Sequence, residues 1–411
     1  MRFADGQVPE VKASVSLGVP RARKATPMLK AAIALVAVMP LAASAEGTSP
    51  REQAVASAAS GPVVQGAARL EPLVAGFQHP WSLAFTPEGD ILVTEKHRGL
   101  RIVRAGRLLD EPVAGGPPAV FADADSGLLD IGLAPDFAQS RLLFLSFVEG
   151  DAKANRTAIW RARYLDGRMS DGRVIFRVAP DKAGPGHPGG RMLFLPDGTL
   201  LLTVGDGYAY KAAAQDLGSH LGKILRLTQD GAAPADNPFV GQDGKRPEIW
   251  TSGHRNPQGL ARDPATGEVW EHEHGPRGGD EVNRLRAGAN YGWPLVTHGI
   301  DYDLSIISER AFAPGIERSW FFWAPSIAPS GLAVYRGARF PDWEGKLLVG
   351  GLVSKSVSRL RPAKQPGFFI EEERMFGAQD KRIRDVRVGP DGYVYLLTDE
   401  DAAELWRLIP R

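Results

Sequence analysis

The sequence contains no cysteine, so no disulfide can form anywhere along its 411 residues. A chain without thiols can fold in an oxidising compartment without mispaired disulfides, although the absence is equally compatible with the cytosol. An excess of charge is lacking too, because 49 Lys and Arg residues stand against 48 Asp and Glu residues. A formal net charge of +1 gives no electrostatic reason to expect a nucleic-acid partner.

The apolar run near the N-terminus, Ala31–Met39, is too short to span a bilayer comfortably. Basic residues between positions 21 and 30 precede this run, and the small residues Ala43-Ser44-Ala45 end it. This order is typical of a secretory signal peptide, with a membrane anchor as the alternative. We therefore predict a signal peptide over residues 1–45 and a flexible Ala-, Gly- and Ser-rich lead-in over residues 46–68. The mature protein is expected to be periplasmic or secreted, without stable membrane insertion; a start at Met1 or at Met28 stays open.

Long helical periodicity is missing as well, and a hairpin phrase recurs in its place. Each copy has an apolar strand, then Pro-Asp-Gly or a related turn, then a second apolar strand. The clear copies are Leu83–Glu95, Met192–Thr203, Gly259–Trp270 and Val386–Asp399, and the looser copies are Leu128–Phe147 and Gly331–Gly350.

Six copies at intervals of roughly 50–70 residues leave room for about two more strands each, the content of one propeller blade. The sequence therefore predicts an all-β fold, a six-bladed β-propeller with four-stranded antiparallel blades. Because a propeller closes on itself, we expect a single catalytic domain over residues 69–411. A β-sandwich would also show many strands and turns, but the recurrence at blade-like spacing favours the propeller.

Polar residues stand at the ends of these hairpins. His254–Pro257 directly precedes the first strand of one copy, and Glu273–Pro276 directly follows its second strand. Because a hairpin returns its two ends to the same side, both segments are expected at one mouth of the propeller. The other copies place further polar side chains at the same position: His187, Arg382 and Arg384 before first strands, and Asp206 and Asp399 after second strands.

Taken singly, each of these residues has an ordinary explanation as a surface ion pair or a turn former. Several cations in one enclosed mouth repel one another unless an anion joins them, so their convergence favours a ligand with carboxylates or an acidic quinone. The run from Gly275-Pro276 to Asp280-Glu281 offers backbone carbonyls and carboxylates, which suit calcium. His272 and His274 form an H-x-H pair, but no third histidine lies nearby, so zinc is not favoured.

The longer motifs around these residues resemble the soluble pyrroloquinoline-quinone-dependent glucose/sorbosone dehydrogenase family, and especially its aldose sugar dehydrogenase branch. The resemblance runs from about His79 to the C-terminus, and its specific motifs are GHRNPQGL, GPRGGDE and RIRDV. It implies a six-bladed propeller, in agreement with the repeat count.

The same resemblance implies a quinoprotein that oxidises aldoses at the anomeric carbon to lactones and passes hydride to bound pyrroloquinoline quinone. It implies that His187 is the general base, that Asp206 orients it, and that Arg255 steadies the developing negative charge. The implied cofactor-binding residues are Arg255, Asn256, Arg382, Arg384, Lys355 and Asp125. The implied calcium ligands are the backbone oxygens of Gly275 and Pro276, with Asp280, Glu281 and Tyr291 at a second, structural site.

Two positions depart from the family pattern. Val353 follows Leu352 where relatives of the glucose type carry Lys, and Lys355, two residues further on, is expected to substitute. Asp125 stands where relatives carry Gln or Glu. Two other functions stay open from the residues alone: a calcium-dependent propeller lactonase or hydrolase, and a binding module without catalysis. The physiological sugar, the electron acceptor and the oligomeric state cannot be read from the sequence.

Overall fold

The structure is a computed structural model that describes residues 68–411. The predicted signal peptide over 1–45 and the predicted lead-in up to residue 67 lie outside the described residues. Within the described part, twenty-four strands form six four-stranded antiparallel sheets, which confirms the predicted six-bladed propeller. In that same part, no helix is long and apolar enough to cross a membrane.

Five blades take their four strands in chain order, and the sixth borrows one from the other end of the chain. Blade 1 contains β2 (Pro80–Phe85), β3 (Ile91–Glu95), β4 (Gly99–Arg104) and β5 (Arg107–Leu108). Blade 2 contains β6 (Leu128–Leu133), β7 (Leu142–Gly150), β8 (Asn155–Leu165) and β9 (Arg168–Arg177). Blade 3 contains β10 (Met192–Phe194), β11 (Leu200–Val204), β12 (Lys223–Leu227) and β13 (Ile249–Ser252). Blade 4 contains β14 (Pro257–Arg262), β15 (Val269–Glu273), β16 (Asp280–Arg284) and β17 (Phe321–Trp323). Blade 5 contains β18 (Pro329–Val334), β19 (Leu347–Gly351), β20 (Ser356–Pro362) and β21 (Phe369–Met375). Blade 6 contains β22 (Ile383–Val388), β23 (Val394–Thr398), β24 (Ala403–Pro410) and β1 (Ala68–Phe77).

The ring is closed by the two ends of the described chain. Strand β1 pairs antiparallel with β24, from Ala68 opposite Pro410 to Phe77 opposite Ala403. The first strand of each blade is its inner strand, and each inner strand contacts the inner strands of the two neighbouring blades around a central channel. Pairing between strands more than 300 residues apart therefore removes the open edge that an unclosed ring would expose.

Each of the six repeats forms a hairpin within one blade, as predicted, and that hairpin supplies the two innermost strands of the blade. In all four clear copies the glycine of the turn has a positive φ, 92° at Gly89, 80° at Gly198, 78° at Gly267 and 79° at Gly392. The two looser copies lack that glycine and bridge the strands differently, by the short helix α1 (Phe137–Ser140) and by the 3₁₀ turn Pro341–Trp343. Two further 3₁₀ segments are Lys211–Gln215 and Gly377–Gln379.

The hydrophobic core consists of six layers, one between each pair of neighbouring blades. Between blades 4 and 5, for example, Trp270, Phe321 and Trp323 pack with Leu332 and Val349. The inner strands begin at one end of the channel, which we call the mouth. Because the layers fix the inner strands against one another, they also fix the loops that meet there.

Candidate functional site

The two polar segments flanking the β14–β15 hairpin meet at the mouth, as the hairpin argument predicts. The Arg255 guanidinium Nη1 donates to the backbone oxygens of His274 at 3.1 Å and Gly275 at 2.8 Å. The backbone N–H of Arg255 donates to the carboxylate of Glu273. Gly275 leaves no room for a side chain, because an added Cβ would lie 2.3 Å from the backbone oxygen of Gly278. These contacts set the arginine against the turn proposed as a calcium site.

His187 is the first of three side chains that are joined by hydrogen bonds. Its Nδ1 lies 2.7 Å from Oδ1 of Asp206, and Oδ2 of Asp206 accepts a hydrogen bond from Nε1 of Trp293 at 2.8 Å. Asp206 is fully buried and also accepts the backbone N–H of Tyr208 at 2.8 Å. Gly205 allows this packing, since a Cβ there would lie 2.3 Å from the backbone oxygen of His187. The imidazole is therefore fixed in one orientation.

The protonation state of His187 follows from this setting. Burial lowers the pKa of His187, and the hydrogen bond to Asp206 opposes that shift only in part. The neutral ring donates Nδ1–H to the carboxylate, so Nε2 carries the free lone pair. A neutral histidine whose second nitrogen is fixed by a carboxylate has the arrangement of a general base.

A pocket of about 850 Å³ opens beside this histidine. Its lining combines residues from separate loops and consists of Asp125, Ala183, Gly184, Pro185, Gly186, His187, Gly207, Tyr208, Ala209, Arg255, Asn256, His274 and Tyr302. The volume lies towards the upper end of the roughly 300–1,000 Å³ typical of small-molecule sites. Four of the residues singled out from the sequence, His187, Arg255, Asn256 and Asp125, share this one pocket.

Arg255 and Asn256 are both buried in the pocket wall. The guanidinium of Arg255 lies 5.4 Å from the ring centre of Trp293 and 5.9 Å from that of Tyr302, within the range of cation–π contact. The Asn256 amide oxygen accepts hydrogen bonds from the backbone N–H of Gly189 at 3.3 Å and from Gln258 at 3.0 Å. The amide nitrogen of Asn256 is therefore the part of the side chain left to bind a ligand.

Arg382 and Arg384 converge on one carboxylate. Arg382 lies 3.4 Å from Oδ2 of Asp399, and the buried Arg384 bonds the same oxygen. Burial would raise the pKa of Asp399, but Arg384, Lys96 and Arg382 together outweigh that effect and hold the pKa below its usual value. His79 lies 3.3 Å from the other oxygen of Asp399. Buried Nε of Arg384 has no hydrogen-bond partner, so the cluster keeps one donor for an anion.

Lys355 lies in the turn between β19 and β20, where its backbone φ is 51°. Its ammonium group pairs with Asp380 at 2.6 Å, and it is not among the residues that line the large pocket. Arg382 and Arg384 also lie outside that lining. The predicted cofactor contacts of these three residues stay predictions.

Asp280 organises the Gly275–Gly279 turn. Its carboxylate accepts the backbone N–H of Gly275 at 2.9 Å and those of Ile327 and Ala328 at 2.7 and 3.0 Å. The Ser326 hydroxyl donates to it as well, at 2.7 Å. With both oxygens engaged, Asp280 positions the turn and has little left to offer a cation.

A second group of buried and half-buried acids lies behind the turn. We call Glu271, Glu273, Glu281, Asn283 and His254 the acidic cluster. Glu271, Glu273 and His254 offer ligand atoms within 4.8 Å of one another. Burial, together with the neighbouring Glu273, raises the pKa of Glu281 to about 8 and that of Glu271 well above its usual value. One oxygen of Glu271 and the amide oxygen of Asn283 have no hydrogen-bond partner.

A cavity of about 20 Å³ adjoins this cluster and is lined in part by Glu273, Glu281 and Tyr291. The phenol of Tyr291 is already engaged, since it donates to the backbone oxygen of Arg284 at 2.7 Å. Tyr291 could therefore serve a cation only through its backbone oxygen. A small cavity lined by the carboxylates of Glu273 and Glu281 and by backbone oxygens offers the ligands that a hard cation prefers, so the residues present fit calcium.

His272 and His274 do not form a metal chelate with a third side chain of the described residues. Their Nε2 atoms lie 3.4 and 2.6 Å from the backbone oxygens of Gly331 and Pro329 on strand β18. Burial lowers the pKa of each imidazole to about 3, so both are neutral donors to those carbonyls. The pair therefore ties blade 4 to blade 5.

Several residues in and around the large pocket were not singled out from the sequence. Trp293, which fixes Asp206, and Tyr302 lie on the long irregular segment 285–320 between β16 and β17. Tyr208 follows Asp206 by two residues but carries no motif of its own. Only the GANYGWP motif that contains Trp293 could have pointed to one of them.

Comparison with known proteins shows the family of this chain. Residues 77–407 match the family model described as Glucose / Sorbosone dehydrogenase. Aldose sugar dehydrogenase YliI of Escherichia coli (strain K12) is 43% identical over 348 residues, which cover 83% of this chain and 93% of that protein.

Two solved structures share the fold over nearly all their length. The apo form of the soluble aldose sugar dehydrogenase from Escherichia coli has a TM-score of 0.80 and 42% identity, with 84% of this chain and 100% of that chain covered. The PQQ-bound form of an aldose sugar dehydrogenase from Streptomyces coelicolor has a TM-score of 0.67 and 28% identity, with 85% and 100% covered.

Proposed function

Since this chain belongs to the glucose/sorbosone dehydrogenase family, we propose that it oxidises aldose sugars at the anomeric carbon to lactones with bound pyrroloquinoline quinone as the oxidant. The observation that carries the proposal is the fixed chain from His187 through Asp206 to Trp293 at the wall of a pocket of about 850 Å³. The PQQ-bound relative supports the choice of cofactor.

His187 acts as the base in this proposal. Its Nε2 takes the proton from the anomeric hydroxyl of the sugar, and Asp206 stabilises the imidazolium that results. When bound, the quinone supplies the two-electron acceptor for the hydride that leaves the anomeric carbon. Loss of one proton and one hydride converts the cyclic hemiacetal into a lactone.

The cationic residues of the mouth hold and polarise the cofactor in this proposal. Arg255, buried and close to the Gly275 carbonyl, stabilises negative charge that develops in the pocket. The unpartnered Nε of Arg384 fits a carboxylate of an acidic cofactor, with Arg382 beside it. On the basis of the family resemblance, we assign Asn256, Asp125 and Lys355 to cofactor contacts. For Lys355, such a contact requires its ion pair with Asp380 to open.

We assign calcium to two places. The backbone oxygens of Gly275 and Pro276 would hold the ion that is shared with the cofactor, and Asp280 fixes the turn that presents them. Glu281 and the backbone oxygen of Tyr291 would hold the second ion at the small cavity. We also propose export to the periplasm or beyond, and a separate acceptor that takes the electrons away.

Reconstitution tests the proposed function. The purified protein without cofactor should not reduce a dye with sugar, and addition of pyrroloquinoline quinone with calcium should start dye reduction and yield the lactone. Lactone cleavage with calcium alone would contradict this proposal and would show that the protein is a hydrolase. Binding of sugar without either reaction would leave a binding module.

The substitution His187→Asn tests the base. Asn tolerates the positive φ of 49° at this position better than most residues. We expect kcat to fall about 10²- to 10⁴-fold, the typical contribution of a general base. Quinone affinity, followed by absorbance titration, should stay within about threefold. His97→Asn, outside the pocket lining, is the matched control and should keep its activity. Unchanged turnover in His187→Asn would remove this residue from the mechanism.

A further inference from the structure

A cavity of about 270 Å³, which we call the interblade cavity, opens into the core layer between blades 1 and 2. Its buried apolar lining includes Leu100 from blade 1, Leu145 and Met169 from blade 2, and Val113 from the segment that covers them. Protein interiors contain few voids larger than a water molecule, so an opening of this size within a core layer is unusual. The volume lies just below the roughly 300–1,000 Å³ typical of small-molecule sites. The interblade cavity shares no lining residue with the large pocket, so it is a separate opening.

Two glycines border this cavity and leave space beside it. Gly99 has a φ of 90°, and a Cβ built there would meet no atom within 4 Å. A Cβ on Gly116 would meet only the Cε of Met169, at 3.5 Å, which is an ordinary van der Waals distance. A larger side chain would therefore fit at Gly116, and it would occupy space that is otherwise open to a ligand.

Two polar side chains border the interblade cavity, those of Lys96 and His97. His97 is exposed, and partial burial, the Lys96 ammonium and His79 lower its pKa below the ordinary 6.5. Its imidazole is therefore uncharged at neutral pH. Lys96 is half-buried, and it is the residue that brings a charge to the cavity.

The ammonium group of Lys96 keeps hydrogen-bond donors for a ligand. It donates to the backbone oxygen of Ala124 at 3.1 Å and forms no ion pair with a carboxylate of the described residues. An ammonium carries three N–H groups, so two remain. Burial, and after it the charge of Arg384, lowers the pKa of Lys96. Asp399 and Asp125 oppose this shift only in part, and an anion beside the ammonium would favour its charged form.

We propose that the interblade cavity binds a small carboxylate with an apolar chain. The chain lies among the core side chains of blades 1 and 2, away from water, and the carboxylate pairs with the ammonium of Lys96. The described lining contains no carboxylate, so an amine of the same shape would lack a partner. The inference goes beyond the proposed sugar oxidation and does not rest on it, because it uses none of the residues that line the large pocket.

The mouth needs a control of its own, because it lies close to this cavity. Ala122 lines the interblade cavity, whereas Asp125, three residues further along the chain, lines the large pocket. The unpartnered Nε of Arg384 could also attract a carboxylate. A binding test must therefore separate the cavity from the mouth.

Calorimetric titration of the purified protein with butyrate, hexanoate and octanoate tests the proposal. Each added CH₂ group should raise the affinity about fourfold, because its burial removes apolar surface from water. 1-Hexanol has the chain of hexanoate without the charge, and it should bind about tenfold more weakly because it lacks the charged hydrogen bond to Lys96. An affinity that does not depend on chain length would contradict the apolar cavity as the binding site.

Lys96→Met removes the charge and keeps most of the side-chain length. It should weaken octanoate binding about tenfold and leave 1-hexanol binding within about threefold of the wild type. Arg98→Met is the matched control, because Arg98 lies on the same turn, has a side chain that is 43% exposed and does not line the cavity. It should keep the octanoate affinity within about threefold. A loss in Arg98→Met as large as that in Lys96→Met would show that only the general charge of this turn matters.

Gly116→Leu tests the apolar part of the site. The leucine should take up space next to Met169 and weaken octanoate binding about tenfold, while thermal unfolding shows that the variant is folded. Equal octanoate affinity in the wild type and Gly116→Leu would overturn the proposal. Octanoate binding that is lost in Arg384→Ala but kept in Lys96→Met would also overturn it, because the carboxylate would then lie at the mouth. A protein that binds octanoate as expected but oxidises no sugar would refute the proposed function alone, since these titrations need no turnover.

Discussion

Two groups of charged side chains lie inside the propeller, and they are built differently. The first, which we call the channel network, consists of Ser82, Asp130, Arg191, Asp385 and Arg387. It lies at and just before the inner strands of blades 1, 2, 3 and 6. The second is the acidic cluster defined above, which includes His254. The channel network balances its charges within itself, whereas the acidic cluster does not.

The channel network pairs two arginines with two carboxylates. Arg191 lies 3.2 Å from Asp130 and 3.4 Å from Asp385, and Arg387 contacts the same two acids at 3.1 and 2.9 Å. Burial would raise the pKa of Asp385, but Arg387 and Arg191 outweigh it and hold that pKa below its usual value. These residues join four blades and leave no charge for a ligand.

The acidic cluster holds three carboxylates against one imidazole. Oε1 of Glu273 lies 3.2 Å from Nδ1 of His254, but one carboxylate oxygen of Glu271 and the amide oxygen of Asn283 have no hydrogen-bond partner. Burial, and after it the like charge of Glu273, disfavours ionisation of Glu281 and raises its pKa. The contrast separates a structural ion network from the cluster that we propose to bind a cation. Burial of charge alone does not distinguish the two.

Disrupting the channel network should have the largest effect on stability. Arg191→Met keeps the side-chain length but leaves two buried carboxylates to Arg387 alone. We expect the free energy of unfolding to fall by about 3–5 kcal/mol, the usual cost of removing one partner from a buried ion pair. Urea unfolding followed by fluorescence measures this change.

Arg104→Met is the control for this substitution. Arg104 makes a two-pronged pair with Asp90 but is half exposed, so its loss should cost less than about 1 kcal/mol. Equal losses in the two variants would show that the channel network is no more important than a surface pair.

Binding of calcium at the acidic cluster should stabilise the protein. Calcium at about 100 times its dissociation constant should stabilise the quinone-free wild type by about 2.7 kcal/mol. Glu281→Gln should lose most of that gain. Without calcium the variant should resemble the wild type near neutral pH, because burial raises the pKa of Glu281 to about 8 and the carboxyl is then largely uncharged. Thermal unfolding with calcium and with a chelator measures both.

Glu268→Gln provides the comparison within the same blade. Glu268 forms a partly exposed pair with Arg284 at 2.8 Å, away from the cluster, and its substitution should keep the calcium response. A full calcium response in Glu281→Gln would exclude Glu281 from the cation site.

The fold was predictable because its signal is local. Val386–Asp399 holds a complete hairpin with Gly392 at its turn, and five similar phrases give the number of blades. The pairing of β1 with β24 was not predictable, because nothing in the sequence of Ala68–Phe77 indicates that it pairs with a strand more than 300 residues away. The replacement of a glycine turn by α1 also depends on the burial of Phe137, which only the packed blades decide.

The site was predictable where residues flank a hairpin. Arg255 and Gly275 meet because their strands pair, and His187 and Asp206 stand at corresponding ends of the β10–β11 hairpin. Trp293 and Tyr302 come from an irregular segment whose path no periodicity fixes. The engagement of Asp280 by backbone donors was equally invisible, since the sequence shows the carboxylate but not what bonds it.

The smallest effect concerns His187, which is buried like the channel network but has a single carboxylate partner and no balancing arginine pair. Because burial lowers its pKa below the ordinary 6.5, the neutral base persists below that pH, and kcat/KM should fall only in more acidic solution. The folded state resists protonation of this ring, so stability should decline as pH falls through 6.5 towards the lowered pKa and should not decline further from this group below it. Asp206→Asn removes the partner that raises this pKa and should move the acid limb of the pH–rate profile lower still, at reduced kcat. An acid limb centred at or above pH 6.5 in the wild type would contradict the neutral, buried base.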